Sequence, residues 1–247
     1  MDLDLKGRRV LITGGSKGIG AACARVFLGE GAGVLLAARD ERQLAATAAD
    51  LSGLGPVATW AGDLSRAEER ERLHREADGY DILVNNAGAI PRGGLLDMTM
   101  EQWEAAWALK VMGYIHLTQL ALGTMKARGS GVIVNIIGQA GRQPRYGYVC
   151  GATGNAALMA FTHAVGGKAP DFGVRVFGIN PSGTRTERME TLAAQEGRTI
   201  ADVGASAPFG RLAEPLEIAR TTAFLASPAC GYVSGTVLDI DGGAGSH

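Results

Sequence analysis

The sequence predicts a single doubly wound α/β domain, with a mainly parallel sheet of seven strands, for three reasons. Short apolar segments alternate with longer amphipathic ones from Arg9 to Asp241. No repeat, low-complexity tract or Pro/Ser-rich linker interrupts the 247 residues. Hydrophobic residues make up 46% and charged residues 20%, as in ordinary globular proteins, and a chain of this length can fill one large core. Strict alternation implies parallel strands with helices on both faces of the sheet.

Each predicted element follows from a local pattern. The first strand is a β-branched run that ends in glycine, and the later strands are similar short apolar runs. Strands are predicted at residues 9–14, 33–38, 56–62, 81–88, 131–137, 173–180 and 236–241. Helices are predicted at about 18–30, 41–51, 66–77, 100–128, 147–167 and 215–226, and the fourth of these segments is long enough for two helices in sequence.

One segment, residues 184–208, interrupts this alternation. It is polar and matches neither period, so we interpret it as a mobile lid over a site. The whole chain, residues 1–247, is otherwise expected to form one domain.

Composition excludes several classes of protein. The net charge is −1 with no basic stripe, which argues against nucleic-acid binding. Apolar runs are only strand-length and the N-terminus MDLDLKGRR is no signal peptide, which argues against a membrane protein. The three cysteines (Cys23, Cys150 and Cys230) are scattered and the four histidines lie far apart, so no metal site is expected. These features together indicate a cytoplasmic protein.

A glycine-rich loop joins the first predicted strand to the first helix. The loop is TGGSKGIG, residues 13–20, and its glycines allow a sharp turn that brings backbone N–H groups against a pyrophosphate at the helix N-terminus. A tight turn without a ligand is the alternative. The loop residues expected at a dinucleotide are Gly14, Ser16, Lys17, Gly18, Ile19 and Gly20.

The end of the second strand indicates which dinucleotide binds. Dinucleotide folds commonly place an acid there to bond the ribose 2′-hydroxyl, but this strand ends in Ala37, Ala38 and Arg39. Arginine can hold a 2′-phosphate, and Lys17 adds a second cation, so we expect NADP(H) in preference to NAD(H). Asp40 leaves the alternative open, because a small shift would make it a ribose ligand.

Three motifs together resemble the short-chain dehydrogenase/reductase family: the loop glycines, NNAG at 85–88, and FLASPACGYVSGTVLDIDGG at 224–243. The resemblance covers nearly the whole chain. It implies a Rossmann-type fold, a small-molecule carbonyl or alcohol substrate, and a homo-oligomer (tetramer or dimer). Ser182 departs from the family's usual glycine. Further implied cofactor contacts are Asp63, Leu64, Asn85, Asn86, Ala87, Gly88, Pro181, Ser182, Gly183 and Thr186.

The family's catalytic positions are all changed under this resemblance. Members typically use an Asn, a Ser and a Tyr-x-x-x-Lys pair. Alignment on NAALMAFT puts Asn155 at the lysine and Gly151 at the tyrosine. Gly138 then stands at the serine and Lys110 at the asparagine. The chain thus has a lysine and an asparagine in exchanged positions, and neither glycine can donate a proton.

Three functions follow from this pattern. In the first, Tyr148, one turn before Gly151, pairs with Lys110 for acid/base chemistry while Asn155 positions ribose or water. Helical side chains lean toward the N-terminus, so Tyr148 serves this role best from the loop before the helix. In the second, the protein is a catalytically silent nucleotide-binding sensor or scaffold. The third is a non-redox elimination or hydration.

Overall fold

The computed structural model describes residues 2–246, and seven parallel strands form its sheet in the order β3-β2-β1-β4-β5-β6-β7. The fold prediction is confirmed, and the sheet is parallel throughout. The strands are β1 (Arg9–Thr13), β2 (Gly33–Ala38), β3 (Val57–Ala61), β4 (Ile82–Asn85), β5 (Gly131–Ile136), β6 (Val174–Pro181) and β7 (Val237–Ile240).

Helices connect the strands and cover both faces of the sheet. They are α1 (Gly18–Gly29), α2 (Glu41–Leu51), α3 (Ala67–Glu76), α4 (Met100–Leu109), α5 (Val111–Arg128), α6 (Val149–Lys168), α7 (Glu187–Gln195), α8 (Ile200–Ala205) and α9 (Pro215–Ala226). Lys110 separates α4 from α5, as the prediction of two helices in sequence requires.

The core lies on the two faces of the sheet. Successive strand residues point to opposite faces, so Leu11 and Ile12 belong to different apolar clusters. The Ile12 face packs under α1 and α9, where Phe27 and Ile218 are fully buried. The Leu11 face packs under α3 and α5. Continuous apolar strands are the expected consequence of helices on both faces.

Strand order reverses between β1 and β4, and this reversal positions the site. β1 pairs with β2 on one side and with β4 on the other, so the connections leave β1 and β4 in opposite directions along the sheet. Ligands of open parallel sheets bind in the crevice that forms at the carboxyl ends of such strands.

Two local features differ from the sequence expectation. The helix expected from residue 147 begins at Val149. Tyr148 is its N-cap, with a non-helical φ of −143°. The polar segment 184–208 contains the helices α7 and α8, which periodicity missed because both are short. Their N-caps, Thr186 and Thr199, accept hydrogen bonds from the backbone of Met189 and Asp202.

Within residues 2–246 no helix is long and apolar enough to cross a membrane. The same residues contain no group of three His, Cys, Asp or Glu side chains that could hold a metal ion.

Candidate active site

A cleft of about 540 Å³ opens at the carboxyl edge of the sheet, beside the ends of β1 and β4. Most of the residues that the sequence assigned to the cofactor line it. They are Gly14, Ser16, Lys17, Gly18, Ile19, Arg39, Leu64, Asn86, Ala87, Gly88, Pro181 and Thr186. The structure therefore brings together segments that are up to 170 residues apart, as the 3.1 Å contact between Lys17 and Glu187 also shows.

Five of the expected cofactor residues lie outside this lining: Gly20, Asp63, Asn85, Ser182 and Gly183. Gly20 acts indirectly, because a Cβ built there would overlap the carbonyl oxygen of Gly14. Gly183 is similar, since its Cβ would lie 2.9 Å from Leu212 Cδ2. Both glycines allow close packing beside the cleft.

The glycine loop leaves the first turn of α1 open. Gly14 and Gly18 have φ angles of 63° and 57°, which only glycine adopts readily. The N-cap Lys17 makes no side-chain capping hydrogen bond. The first N–H groups of a helix have no intrahelical partner, so those of α1 remain available to an anionic ligand.

At the end of β2, Arg39 and Asp40 have different tasks. Asp40 accepts a hydrogen bond from the backbone of Gln43 at 3.0 Å and caps α2. Its carboxylate is therefore already engaged, which weighs against the alternative role as a ribose ligand. Asp63 lies near Arg39. Its pKa is lowered because desolvation, which raises it, is outweighed by hydrogen bonds from Ser65 and by the charge of Arg39.

NNAG links β4 to β1 through Asn86. The Asn86 amide donates to the carbonyl oxygens of Thr13 and Gly14 at 3.1 and 3.0 Å. Asn85, expected at the cofactor, instead turns away into the interior. It is fully buried and donates to Thr118 and to Asn135, at 3.1 and 2.9 Å. The side chain of Asn85 thus joins strands and α5, which corrects the sequence expectation for this residue.

Lys110 reaches the cleft from the junction of α4 and α5. Its ammonium donates to the carbonyl oxygen of Ile137 at 2.5 Å, and its stem covers Gly88, where a Cβ would lie 2.7 Å from Lys110 Cδ. Desolvation, together with the positive charge of Arg188, lowers the pKa of Lys110 to about 7. At neutral pH, this amine can therefore both give and take a proton.

Tyr148 places its ring over Gly151. A Cβ built on Gly151 would overlap the ring at Cζ, so the phenol fills the volume that a larger residue 151 would need. The ring packs beside the cluster that contains Ile90 and Trp107. Burial raises the pKa of Tyr148, and the neighbouring Arg188 opposes that shift. Tyr148 is outside the lining of the cleft itself.

Asn155 occupies the corresponding space beside Gly138. Gly138 has a φ of 136°, and a Cβ there would lie 3.0 Å from Asn155 Nδ2. Asn155 is 3% exposed, and its Oδ1 has no hydrogen-bond partner within residues 2–246. Like Tyr148, Asn155 does not line the cleft.

The sequence analysis missed one central residue, Arg188 on α7. Its guanidinium donates to the carbonyl oxygens of Gly88 and Ile90 at 3.2 and 2.6 Å, and it lines the cleft. Its charge influences both Lys110 and Tyr148. No motif marked it, because it lies in a polar segment whose helices were not expected.

Three features define the class of protein: the glycine-rich loop, the open N-terminus of α1, and the cleft where the strand order reverses. Together they are typical of a dinucleotide-binding α/β protein. A family model described as enoyl-(acyl carrier protein) reductase matches residues 14–245. An indene-carboxyl-CoA reductase of Mycobacterium tuberculosis is 34% identical, with 96% of this chain and 92% of the relative covered. The chain belongs to the short-chain dehydrogenase/reductase family of oxidoreductases.

Solved structures agree with this assignment. L-Sorbose reductase from Gluconobacter frateurii, complexed with NADPH and L-sorbose, is 30% identical with a TM-score of 0.90, and 98% of each chain is covered. A 7α-hydroxysteroid dehydrogenase complexed with NADH is 29% identical with a TM-score of 0.91, covering 98% of this chain and 96% of that one. Neighbours of this fold thus use either nicotinamide cofactor.

Proposed function

We propose that this chain is an NADP(H)-dependent oxidoreductase that passes hydride between nicotinamide and a carbonyl or secondary alcohol, using a non-standard set of catalytic residues. Tyr148 and Lys110 are the acid/base and electrostatic groups, and Asn155 positions ribose or water. The observation that carries the proposal is the Tyr148 ring over Gly151, because it places a phenol beside the position where the family's tyrosine is missing.

The cleft fits a dinucleotide. The open first turn of α1 would receive the pyrophosphate. A Cβ at Gly14 would lie only 2.9 Å from Ala87 Cα, so the absence of a side chain lets the glycine loop pack closely against the turn after β4. When bound, the cofactor supplies or accepts the hydride. The family resemblance adds Asp63, Ser182 and Gly183 as supporting residues around it.

Proton transfer falls to the chain's own side chains. An ammonium with a pKa of about 7 is matched to neutral pH, so Lys110 can protonate an alkoxide oxygen or hold it by charge. The alkoxide takes one proton only, so where Lys110 holds it by charge, Tyr148 donates its phenolic proton to that oxygen, or takes one back in the oxidative direction. Asn155 offers a buried Oδ1 without a partner, which can accept a hydrogen bond from a ribose hydroxyl or a water.

Two observations support NADP(H) over NAD(H). Arg39 is the charged residue that follows β2 at the cleft, and the competing acid, Asp40, is engaged in capping α2. Lys17 contributes less than the sequence suggested, because its ammonium is paired with Glu187. The choice of cofactor therefore depends mainly on Arg39.

A catalytically silent sensor or scaffold is the second candidate. It is favoured by one specific observation: Tyr148 and Asn155 do not line the cleft, and the Lys110 ammonium already donates to Ile137. A silent protein would bind NADPH and never oxidise it.

We further propose a cytoplasmic homo-oligomer, a dimer or a tetramer. Apolar side chains remain exposed near the last strand, where Tyr232, Phe224 and Leu238 are 105%, 39% and 41% exposed. Multi-angle light scattering on the purified protein should give a mass of two or four chains, and a monomer at all concentrations would contradict this.

Single-turnover kinetics tests the main proposal. Stoichiometric protein and NADPH are mixed with a panel of ketones, aldehydes and quinones, and loss of reduced nicotinamide is followed. We expect substrate-dependent oxidation that falls by about 100-fold or more in Tyr148→Phe and Lys110→Met. The matched control is Tyr146→Phe, an exposed tyrosine in the same segment. Bound NADPH without oxidation supports the silent function, and product without a change in cofactor redox state supports a non-redox reaction.

A further inference from the structure

Arg188 and Lys110 place two basic side chains together in the cleft, and neither forms an ion pair with an acid among residues 2–246. Both side chains line the cleft and meet at Gly88, where Arg188 donates to the carbonyl oxygen at 3.2 Å and the Lys110 stem covers the Cα. Their hydrogen bonds go to the carbonyl oxygens of Gly88, Ile90 and Ile137. Carbonyl dipoles orient these cations, but they do not neutralise them.

The acidic side chains of the cleft are committed elsewhere. Among the described residues that line it, the acids are Asp40 and Glu187. Asp40 caps α2 at the end of β2, and Glu187 pairs with Lys17. Further along segment 184–208, Glu196 forms an ion pair with Arg92. None of these contacts supplies a counter-charge for Arg188.

We propose that Arg188, assisted by Lys110, binds a carboxylate carried by the substrate, so that the substrates are 2-oxo or 3-oxo acids and the corresponding hydroxy acids. This inference rests on the proposed oxidoreductase function. A guanidinium presents a planar fork that matches a carboxylate with two parallel hydrogen bonds. Arg188 donates to the carbonyl oxygen of Gly88, and the stem of Lys110 covers the same glycine, so a carboxylate on Arg188 would lie close to a carbonyl oxygen held by Lys110.

The rest of the substrate should be apolar. The Tyr148 ring packs against a cluster with Ile90 and Trp107. The loop between β4 and α4, which contains Ile90, also exposes Leu95 and Leu96, at 57% and 90%. This loop runs beside the segment before α6, since Gly93 donates to the Gly147 carbonyl at 2.9 Å. An aryl or branched alkyl group on the oxo acid would cover these side chains.

The reaction on such a substrate balances without further reagents. Hydride adds to the carbonyl carbon of R–CO–COO⁻, the C=O π bond breaks, and its electron pair goes to oxygen. That oxygen takes one proton, which gives R–CHOH–COO⁻ and NADP⁺. The carboxylate is unchanged and remains on Arg188.

A matched pair of probes tests the proposal: benzoylformate and its neutral methyl ester. Both carry the same carbonyl and the same phenyl group, and only the acid carries a charge. Dissociation constants are measured by titration into the NADP⁺ complex, and oxidation of NADPH is followed in parallel. The variants are Arg188→Gln and, as the control, Arg198→Gln, a lid arginine that bonds Asp202 O and does not line the cleft.

The wild type and the control should bind benzoylformate at least about tenfold tighter than the ester, as one charge-assisted pair allows. Arg188→Gln should lose that preference and keep its affinity for NADPH. Equal affinities for acid and ester in the wild type would overturn the proposal. A tenfold loss of NADPH affinity in Arg188→Gln would also overturn it, by assigning the arginine to the cofactor. Binding of the acid without oxidation would support the carboxylate site and remove the oxidoreductase function on which it was built, whereas equal binding and oxidation of both probes would do the reverse.

Discussion

The two halves of the candidate site, the cleft and the side chains beside it, differ in the kind of atoms that build them. The half at the ends of β1 and β2 is built from backbone: positive φ at Gly14 and Gly18, and the open first turn of α1. The half at the end of β5 and the start of α6 is built from side chains. There, Tyr148 covers Gly151 and Asn155 lies against Gly138.

This difference teaches how each half can change. A site built from backbone depends on a few glycines. Any side chain at one of these positions would disrupt the site, so such a site cannot change gradually. A side-chain site can exchange its groups, provided that each vacated volume is filled by a neighbour. The proposed catalytic half shows this exchange twice, and it predicts that paired residues are coupled in stability and activity.

The largest effect is expected when a side chain is introduced into the glycine loop. Gly20→Ala places a Cβ onto the Gly14 carbonyl oxygen, a backbone atom that cannot move away without unfolding the loop. We expect NADPH affinity to fall by about 100-fold or more, roughly 2.7 kcal/mol. The control is Gly29→Ala in the same helix, where a Cβ meets nothing within 4 Å. Isothermal titration calorimetry measures both, and similar affinities for the two variants would contradict the backbone account.

The side-chain half should respond through coupling. Gly151→Ala drives a methyl group into the Tyr148 ring and should destabilise the protein by about 1–3 kcal/mol, as overpacking does. The same substitution in the double variant Tyr148→Ala/Gly151→Ala should cost much less, because the ring is gone. Chemical denaturation of the four proteins gives the coupling energy.

Gly167→Ala provides the matched control for this cycle. Gly167 also lies in α6, and a Cβ there meets nothing within 4 Å. The alanine should stabilise the helix by up to about 1 kcal/mol. If Gly151→Ala behaves like Gly167→Ala, then the Tyr148 ring does not occupy that volume in solution.

The same contrast explains how much the sequence could predict. Strands, helices and the glycine loop follow from periodicity and from φ requirements, which are local properties. Asn85 was misplaced because adjacent asparagines in NNAG are equivalent in pattern, and only packing sends one inward to Thr118 and Asn135. Arg188 was missed because its position depends on the path of segment 184–208, which has no short-range signature.

Capping geometry was also beyond the sequence. The expected helix began at residue 147, which would have aimed the Tyr148 side chain along the helix and away from Asn155. Its actual N-cap backbone, with φ of −143° and ψ of 32°, lets the ring fold over Gly151 instead. One or two residues at a helix boundary thus decide whether a phenol is available to the site.

The choice of cofactor tests Arg39, a residue that acts through its side chain in the half of the site built mainly from backbone. Arg39→Ala should weaken NADPH binding by about tenfold and leave NADH binding nearly unchanged, since only NADPH carries a 2′-phosphate. Asp40→Ala, which removes the cap of α2, should lower both affinities or neither. Fluorescence titrations with the two cofactors decide this, and equal losses in Arg39→Ala would remove the reason for choosing NADP(H).

The last prediction concerns the charge on Lys110 in the absence of ligands. Its pKa is about 7 in the folded chain against an ordinary value of 10.5. Between these values the unfolded chain binds more protons than the folded one, so the lysine makes stability rise with pH across that window. Lys110→Met should therefore be more stable than the wild type near pH 7, with the difference shrinking toward pH 10.

Thermal melts from pH 6 to pH 10 measure this difference, and the rate of NADPH oxidation over the same range gives an independent check. If the Lys110 ammonium donates the proton, the reduction rate falls as pH rises through about 7, because the neutral amine cannot donate it as readily. The oxidative direction should show the opposite slope. A stability difference that is independent of pH would mean that Lys110 keeps its ordinary pKa, and the proposed catalytic half would then have no group matched to neutral pH.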